Sequence, residues 1–300
     1  MIAGLLPVLE TPFLSDGSID VPGFVAVIVE QKRAGADGVM FAGFASEFSR
    51  LSDSERTELE TVMLSMTAGV AGFTGVISVS DQSTHLATRR ATRAAEGGAD
   101  AINILPPYLG GPSPSEVIHH LDAVLDAAGE TPVIVQLAPA LTATVLTAAD
   151  VARLARRHGN LVAVKVESTP PGPVVSALLS GEPPLPSVVG YAGLHLIDAL
   201  DRGAVGVQPG SSFPALYRAI LDSWASGDAA GAARQHERLL PYLAYWMQSV
   251  DLIVQVEKAI SFRRGLISTD LCRRPGRALD ETESAMIDRF LSLFATELTA

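Results

Sequence analysis

Leu161-Val162-Ala163-Val164-Lys165-Val166-Glu167 reads as a β-strand. Alternation puts Val162, Val164 and Val166 on one face and Ala163, Lys165 and Glu167 on the other. Upstream, Ala148–His158 has helical spacing, and before it Pro132–Leu137 is a second strand rich in Val and Ile. Strand, helix, strand is therefore the local unit.

That unit repeats in both directions. Strands are predicted near Gly4–Leu9, Gly38–Ala42, Gly72–Val79, Ala101–Leu105, Pro132–Leu137, Leu161–Glu167, Ser187–Gly190 and Gly206–Gln208. Helices follow them at Val21–Ala34, Ser54–Ala68, Ser83–Glu96, Ser115–Ala128, Ala148–His158, Val174–Leu179, Leu194–Asp201 and Ser212–Ser226. The strands are rich in Val, Ile and Ala, as suits strands covered on both faces. Alternating β and α with short connections implies a parallel sheet. Eight repeats inside roughly 225 residues match an α/β (β/α)8 TIM barrel in count and length. A doubly wound sheet is the competing architecture, but no Gly-x-Gly-x-x-Gly follows the first strand.

Beyond Gly227 the β signals stop, and Ala229–Ser249, Leu252–Arg264 and Glu281–Leu298 read as helices. The expected organisation is a barrel over residues 1–227 and a C-terminal helical extension over 228–300, packed on the barrel without a low-complexity linker. Ser52 or Asp53 can cap the second helix, with acidic residues in its first turn.

Composition narrows the function. The 300 residues carry a formal net charge of −11 and no useful basic run, which argues against a nucleic-acid surface. No apolar run approaches the ~18 residues of a spanning helix, so no membrane partner is expected. The opening Met1–Pro7 has no basic region, and Glu10 soon interrupts its apolar stretch, so it does not read as a signal peptide. A single cysteine, Cys272, can form no internal disulfide, which fits a reducing compartment. The expectation is a soluble, cytoplasmic protein.

Only three lysines are present. Lys32 and Lys258 fall in helical patterns beside polar residues and are expected to be solvated. Lys165 interrupts an apolar strand, and in a barrel it would point inward, towards the C-terminal mouth where barrel active sites lie. One reading is a core lysine paired with Glu167 or another carboxylate. The other is catalytic: burial favours the neutral amine, which carbonyl attack requires.

Four segments, in order, resemble the dihydrodipicolinate synthase/N-acetylneuraminate lyase family. Leu6-Pro7-Val8-Leu9-Glu10-Thr11-Pro12-Phe13 with Asp16–Asp20 resembles its opening strand and loop, and Gly43–Ser52 its Gly-Thr-Thr-Gly-Glu segment. Pro107-Tyr108-Leu109-Gly110-Gly111-Pro112 falls where the family has Pro-Tyr-Tyr-x-x-Pro, and Val162–Ser168 on the strand with its Schiff-base lysine. The resemblance runs from Leu5 to about Pro275. It implies a barrel with C-terminal helices, a homotetramer built as a dimer of dimers, and a small-molecule 2-oxo acid substrate such as pyruvate. It also implies catalysis with no metal and no organic cofactor. No His-Glu-x-x-His spacing appears, and His119-His120 on a helix read as surface residues.

The departures from the family bear on the substrate. Two Thr/Ser positions that hold the 2-oxo acid carboxylate are Phe44 and Ala45, which keep only backbone N–H groups for that work. The proton-shuttling tyrosine is replaced by Gln136, the second tyrosine after strand four by Leu109, and the arginine that holds the aldehyde substrate's carboxylate by Leu141. These changes imply a larger and less charged substrate than the lysine-pathway pair, and argue against true dihydrodipicolinate synthase activity. Tyr108, after strand four, is a candidate for proton transfer or for a dimer contact. Glu167 is a candidate general base or counter-ion to Lys165. Gly190, Tyr191 and Gln208 fall at strand ends towards the substrate, and Glu47 reads as structural, accepting loop N–H groups. The expected function is a class I (Schiff-base) lyase or aldolase. An imine-dependent hydratase or dehydratase and a catalytically silent ligand-binding barrel are the alternatives.

Overall fold

The structure, a computed structural model, describes residues 2–299. The strands are β1 (Gly4–Leu5), β2 (Gly38–Phe41), β3 (Thr74–Val79), β4 (Ala101–Ile104), β5 (Val133–Leu137), β6 (Leu161–Val166), β7 (Ser187–Val189) and β8 (Gly206–Val207). The first helices are α1 (Val21–Arg33), α2 (Asp53–Thr67), α3 (Thr84–Glu96), α4 (Pro114–Ala127), α5 (Pro139–Thr142), α6 (Ala148–Arg157), α7 (Gly172–Leu179) and α8 (Leu196–Asp201). They are followed by α9 (Pro214–Ala225), α10 (Ala229–Trp246), α11 (Val250–Arg263), α12 (Glu281–Leu293) and α13 (Ala295–Thr299). The strands form one eight-stranded sheet in the order β1-β8-β7-β6-β5-β4-β3-β2, and the fold is a (β/α)8 barrel.

The chain divides into two compact units, one of residues up to Gly4 with Thr67–Gln208, the other of Leu5–Met66 with the chain from Pro209 onward. In the first unit β3 to β8 pair in parallel, neighbour with neighbour. Helix α3 packs on β3 and β4, α6 on β6 and α7 on β7, and nearly every residue of these strands is buried. Local chemistry sets the helix ends. Ser113 accepts from the Glu116 N–H at the start of α4, with Pro114 at its first position, and Thr147 and Asp150 cap each other's N–H groups at α6.

In the second unit Val8 bridges both Met40 and Gly210. Its core holds an aromatic cluster: Phe213, Tyr217, Tyr242, Trp246, Phe290 and Phe294, from α9 and the residue before it, α10, and α12 and the residue after it, meet at centroid separations of 4.9–6.4 Å. Ser52 starts α2 as expected, its hydroxyl accepting from the Glu55 N–H while Glu55 accepts from the Ser52 N–H.

Some expectations need correction. Strand β1 stops at Leu5 rather than Leu9, because Pro7 has no N–H to offer a ladder and Val8 forms only isolated bridges. The helix expected over Glu281–Leu298 breaks at Phe294 into α12 and α13, with no Pro or Gly to mark the place. His120 is buried, its Nδ1 3.0 Å from Thr84 Oγ1, and only His119 is at the surface. The largest correction is Lys258. Rather than solvated, it is fully buried on α11, paired with Glu47, bonded to the Leu271 carbonyl at 2.8 Å and seated 4.1 Å from the centre of the Phe13 ring. Lys32 is exposed, as expected. Among the described residues no helix is long and apolar enough to cross a membrane.

Candidate active site

Register places a row of polar side chains on one side of the first unit's sheet. Ser78 aligns with Asn103, Gln136 with Lys165, and Lys165 with Val188. Asn103 aligns with Ile134, two residues before Gln136, so Asn103 and Gln136 project to the same side from adjacent strands. Val166 aligns with Val189, and Val189 with Val207, so Glu167, Gly190 and Gln208 share the next layer. Strands β4, β5 and β6 are otherwise apolar, and each brings one polar side chain to the site: Asn103, Gln136 and Lys165.

Lys165 is 4% exposed and Glu167 7%. The Nζ of Lys165 lies 3.4 Å from Oε1 of Glu167. Two further donors fix that carboxyl group. Gln136 Nε2 donates to Oε2 at 2.6 Å, and the Tyr191 N–H donates to Oε1 at 3.3 Å. Asn103 Nδ2 donates in turn to Gln136 Oε1 at 2.9 Å and to Ser78 Oγ at 3.0 Å. Glu167 accepts each of these bonds, and a hydrogen-bonded file of side chains runs from β3 to the end of β6.

The backbone around Glu167 is shaped for it. A Cβ at Gly190 would stand 2.1 Å from Glu167 Oε1, so only glycine leaves room for the carboxylate. The next two residues, Tyr191 and Ala192, hold left-handed conformations with φ of 55° and 50°. Each costs roughly 1–2 kcal/mol for a non-glycine residue, and the bend turns the Tyr191 N–H towards Glu167.

The remaining expected residues are spread out. Gln208 is 2% exposed at the end of β8, and neither amide atom has a partner among the described residues. Tyr108 is half-buried on the loop after β4, where Gln82 Oε1 accepts from both its N–H, at 2.7 Å, and that of Leu109, at 2.8 Å. With Val117, Thr142 and Val145 it lines a separate hollow of about 200 Å³. It has no bond to the file that holds Lys165. Leu109 is 69% exposed, and Leu141 is half-buried in the short helix α5. Phe44 and Ala45 lie in the second unit, in the 3-10 turn Phe44–Ser46, with the Phe44 ring edge-on to Phe48 at 5.6 Å. Glu47 accepts from the Arg273 N–H at 3.1 Å and from Arg50 at 2.9 Å, besides its pairing with Lys258. Asn103, Ser78 and Gln82 were not singled out in the sequence. The rule that identified Lys165, a polar residue interrupting an apolar strand, applies equally to Ser78 and Asn103.

Comparison with known proteins agrees with this architecture. The sequence model of the dihydrodipicolinate synthetase family matches residues 1–293. The chain belongs to this family of lyases and aldolases. It is 28% identical over 297 residues to YagE of Escherichia coli K12, provisionally named a 2-dehydro-3-deoxy-D-gluconate aldolase, covering 97% of this chain and 96% of YagE. It is also 28% identical over 277 residues to L-2-keto-3-deoxyarabonate dehydratase of Azospirillum brasilense, covering 91% and 88% of the two chains. The crystal structure of YagE in complex with pyruvate superposes with a TM-score of 0.88 at 26% identity, over 98% of this chain and 99% of that one.

Proposed function

We propose that the protein is a class I lyase or aldolase in which Lys165 forms a Schiff base with pyruvate or another 2-oxo acid and Glu167 moves the protons. The observation that carries this reading is a buried Lys165 Nζ 3.4 Å from a carboxylate held by Gln136 and the Tyr191 N–H. A lysine kept from water among apolar strands is costly unless it is used or paired, and here one partner can serve both ends.

The steps balance as follows. Glu167 takes a proton from the Lys165 ammonium, and the freed lone pair attacks the C2 ketone. The carbonyl oxygen takes one proton from the attacking nitrogen and the other back from Glu167, which is again a carboxylate, and leaves as water, giving an iminium that withdraws electrons from C3. In aldol cleavage the C4 hydroxyl loses its proton to Glu167, and the C3–C4 pair moves to the iminium as an aldehyde departs. The same proton then returns to C3, and water releases pyruvate from Lys165. Gln136, unlike a tyrosine, can hold a carboxylate but cannot titrate, which leaves the proton transfers to Glu167.

A dehydratase reading uses the same groups and is favoured by the likeness to the arabonate dehydratase across 91% of this chain. Glu167 then removes a C3 proton and delivers it to the C4 hydroxyl, which leaves as water. True dihydrodipicolinate synthase activity is not part of the proposal, because Leu141 stands where the resemblance requires an arginine. The parts of Phe44 and Ala45 as backbone donors to the substrate carboxylate, of Tyr108 as a proton donor, and of Gln208 and Gly190 at the substrate rest on the resemblance and on strand position. A homotetramer belongs to the same proposal.

The test is borohydride trapping with pyruvate and a panel of longer 2-oxo acids, read by intact mass and peptide mapping. A reduced adduct on Lys165, absent in Lys165→Ala, is the expected result. Well-folded protein that yields no adduct with any of them would make the chain a catalytically silent barrel.

A further inference from the structure

We propose that Asn103 is a positioning residue for Glu167, acting through Gln136; this rests on the Schiff-base reading above. Asn103 is fully buried on β4, and both bonds made by its amide come from Nδ2, to Ser78 Oγ at 3.0 Å and Gln136 Oε1 at 2.9 Å. A primary amide has two N–H donors, so both are spent on these partners. Its Oδ1 has no partner among the described residues, so these two bonds set how the side chain is turned.

The consequence falls on Gln136. A glutamine amide can lie with its oxygen or its nitrogen towards a given neighbour, and the two orientations are nearly equal in shape. The Asn103 donor draws Oε1 towards β4, which leaves Nε2 facing Glu167 Oε2 at 2.6 Å. Were Gln136 reversed, its carbonyl oxygen would oppose the carboxylate, an arrangement stable only with a proton on Glu167. In that case Asn103 must also reverse, to accept from Gln136. The two amides therefore share one orientation, the one that offers Glu167 a donor. The hydrogen bonds of Asn103 go to Ser78 and Gln136, and it acts on Glu167 only through the latter. Its work is to keep Glu167 aimed and supplied with a donor each time it gives up its proton.

The inference separates two steps that a general structural defect would slow alike. The amount of imine trapped once binding has reached equilibrium reports what Lys165 holds, whereas the rate at which the C3 hydrogens of bound pyruvate exchange with solvent deuterium reports how fast Glu167 moves protons. In Asn103→Leu, borohydride trapping of pyruvate on Lys165 stays within about threefold of wild type, while C3 exchange, followed by NMR, slows about tenfold or more at unchanged KM. Gln136→Leu gives a similar loss of exchange, and the double variant is no slower than the slower single one by more than about twofold, since both act through one contact. If the leucine variant does not fold, Asn103→Ser, too short to reach Gln136 Oε1, carries the same expectation. Wild-type exchange in the Asn103 variant would overturn the inference. So would equal losses of trapping and exchange, or losses that multiply in the double variant. Wild-type protein that forms no adduct would instead remove the Schiff-base reading, and with it this role.

Discussion

At the residue scale, the position of Glu167 depends on what its neighbours lack as much as on what they supply. Gly190 leaves a gap that the Glu167 carboxyl fills, and a methyl group there would stand 2.1 Å from Oε1. The carboxyl would have to leave, taking with it its bonds to Gln136 and the Tyr191 N–H. Gly190→Ala is therefore expected to lower turnover by about tenfold or more and stability by about 1–3 kcal/mol, the usual cost of overpacking. Steady-state kinetics together with urea denaturation will check both, and a fully active variant would show that Glu167 can work from another place. The sequence made Lys165 and Glu167 legible because a charge inside an apolar strand is conspicuous. Asn103, Ser78 and Gln136 obey the same logic, but a buried amide or hydroxyl costs less than a buried ammonium and stands out less. What could not be read was the direction of their hydrogen bonds, which depends on register between strands up to 33 residues apart.

At the scale of elements, α11 shows why a helical lysine can mislead. Lys258 lies between Glu257 and Ala259 in a helix whose other buried residues include Leu252, Val254, Val256 and Ile260. A lysine in a helical pattern ordinarily reaches water, yet six consecutive residues, Val256 to Ser261, are buried, more than a full turn, so no solvated face remains for this one. Its charge is instead matched by Glu47, which the sequence reading did identify as structural, and by the Phe13 ring. Removing one member of a buried pair leaves the other charge unmatched, so Lys258→Met should cost about 3 kcal/mol. Lys32→Met, at an exposed position, should stay within about 0.5 kcal/mol. Chemical denaturation of the two variants side by side measures this, and equal stabilities would mean that Glu47 is satisfied by Arg50 and the Arg273 N–H alone. The barrel elements themselves were legible because their periodicity repeats eight times. The 3-10 turns at Phe44–Ser46 and Tyr191–Gly193 were not, since left-handed Tyr191 and Ala192 follow no residue preference.

For the molecule as a whole, stability should fall as the solution is made alkaline, well before any base-induced unfolding. Glu10, which interrupts the opening apolar stretch of the sequence, is buried, and burial pushes its carboxyl up to about 8 against the pull of the Ser261 hydroxyl. Glu257 is pushed up to about 7 by burial, with Ser212 acting in the opposite direction. Both carboxyls hold their protons to higher pH when folded than when unfolded, where the ordinary value is 4.5. The folded state thus binds more protons across that interval. The stability this contributes is complete below about pH 4.5 and is lost as pH rises through 7 and then 8. Each carboxyl can lower stability by at most about 1.4 kcal/mol per pH unit. His120 works the other way below its ordinary value of 6.5, because burial lowers its pKa and its protonation on acidification disfavours the fold. The clean window therefore lies above pH 6.5, between the titration of His120 and the completed ionisation of Glu10. Urea midpoints taken from pH 6.5 to 8.5 should decline in the wild type, while Glu10→Gln and Glu257→Gln, which cannot ionise, should each flatten part of the decline. A wild-type profile that is level across this window, or one whose slope survives both substitutions, would mean that the two carboxyls are already ionised in the folded protein. The unpartnered Oε2 of Glu10 would then have to be matched by the cations nearby, Lys258 and Arg264, across longer distances than a hydrogen bond.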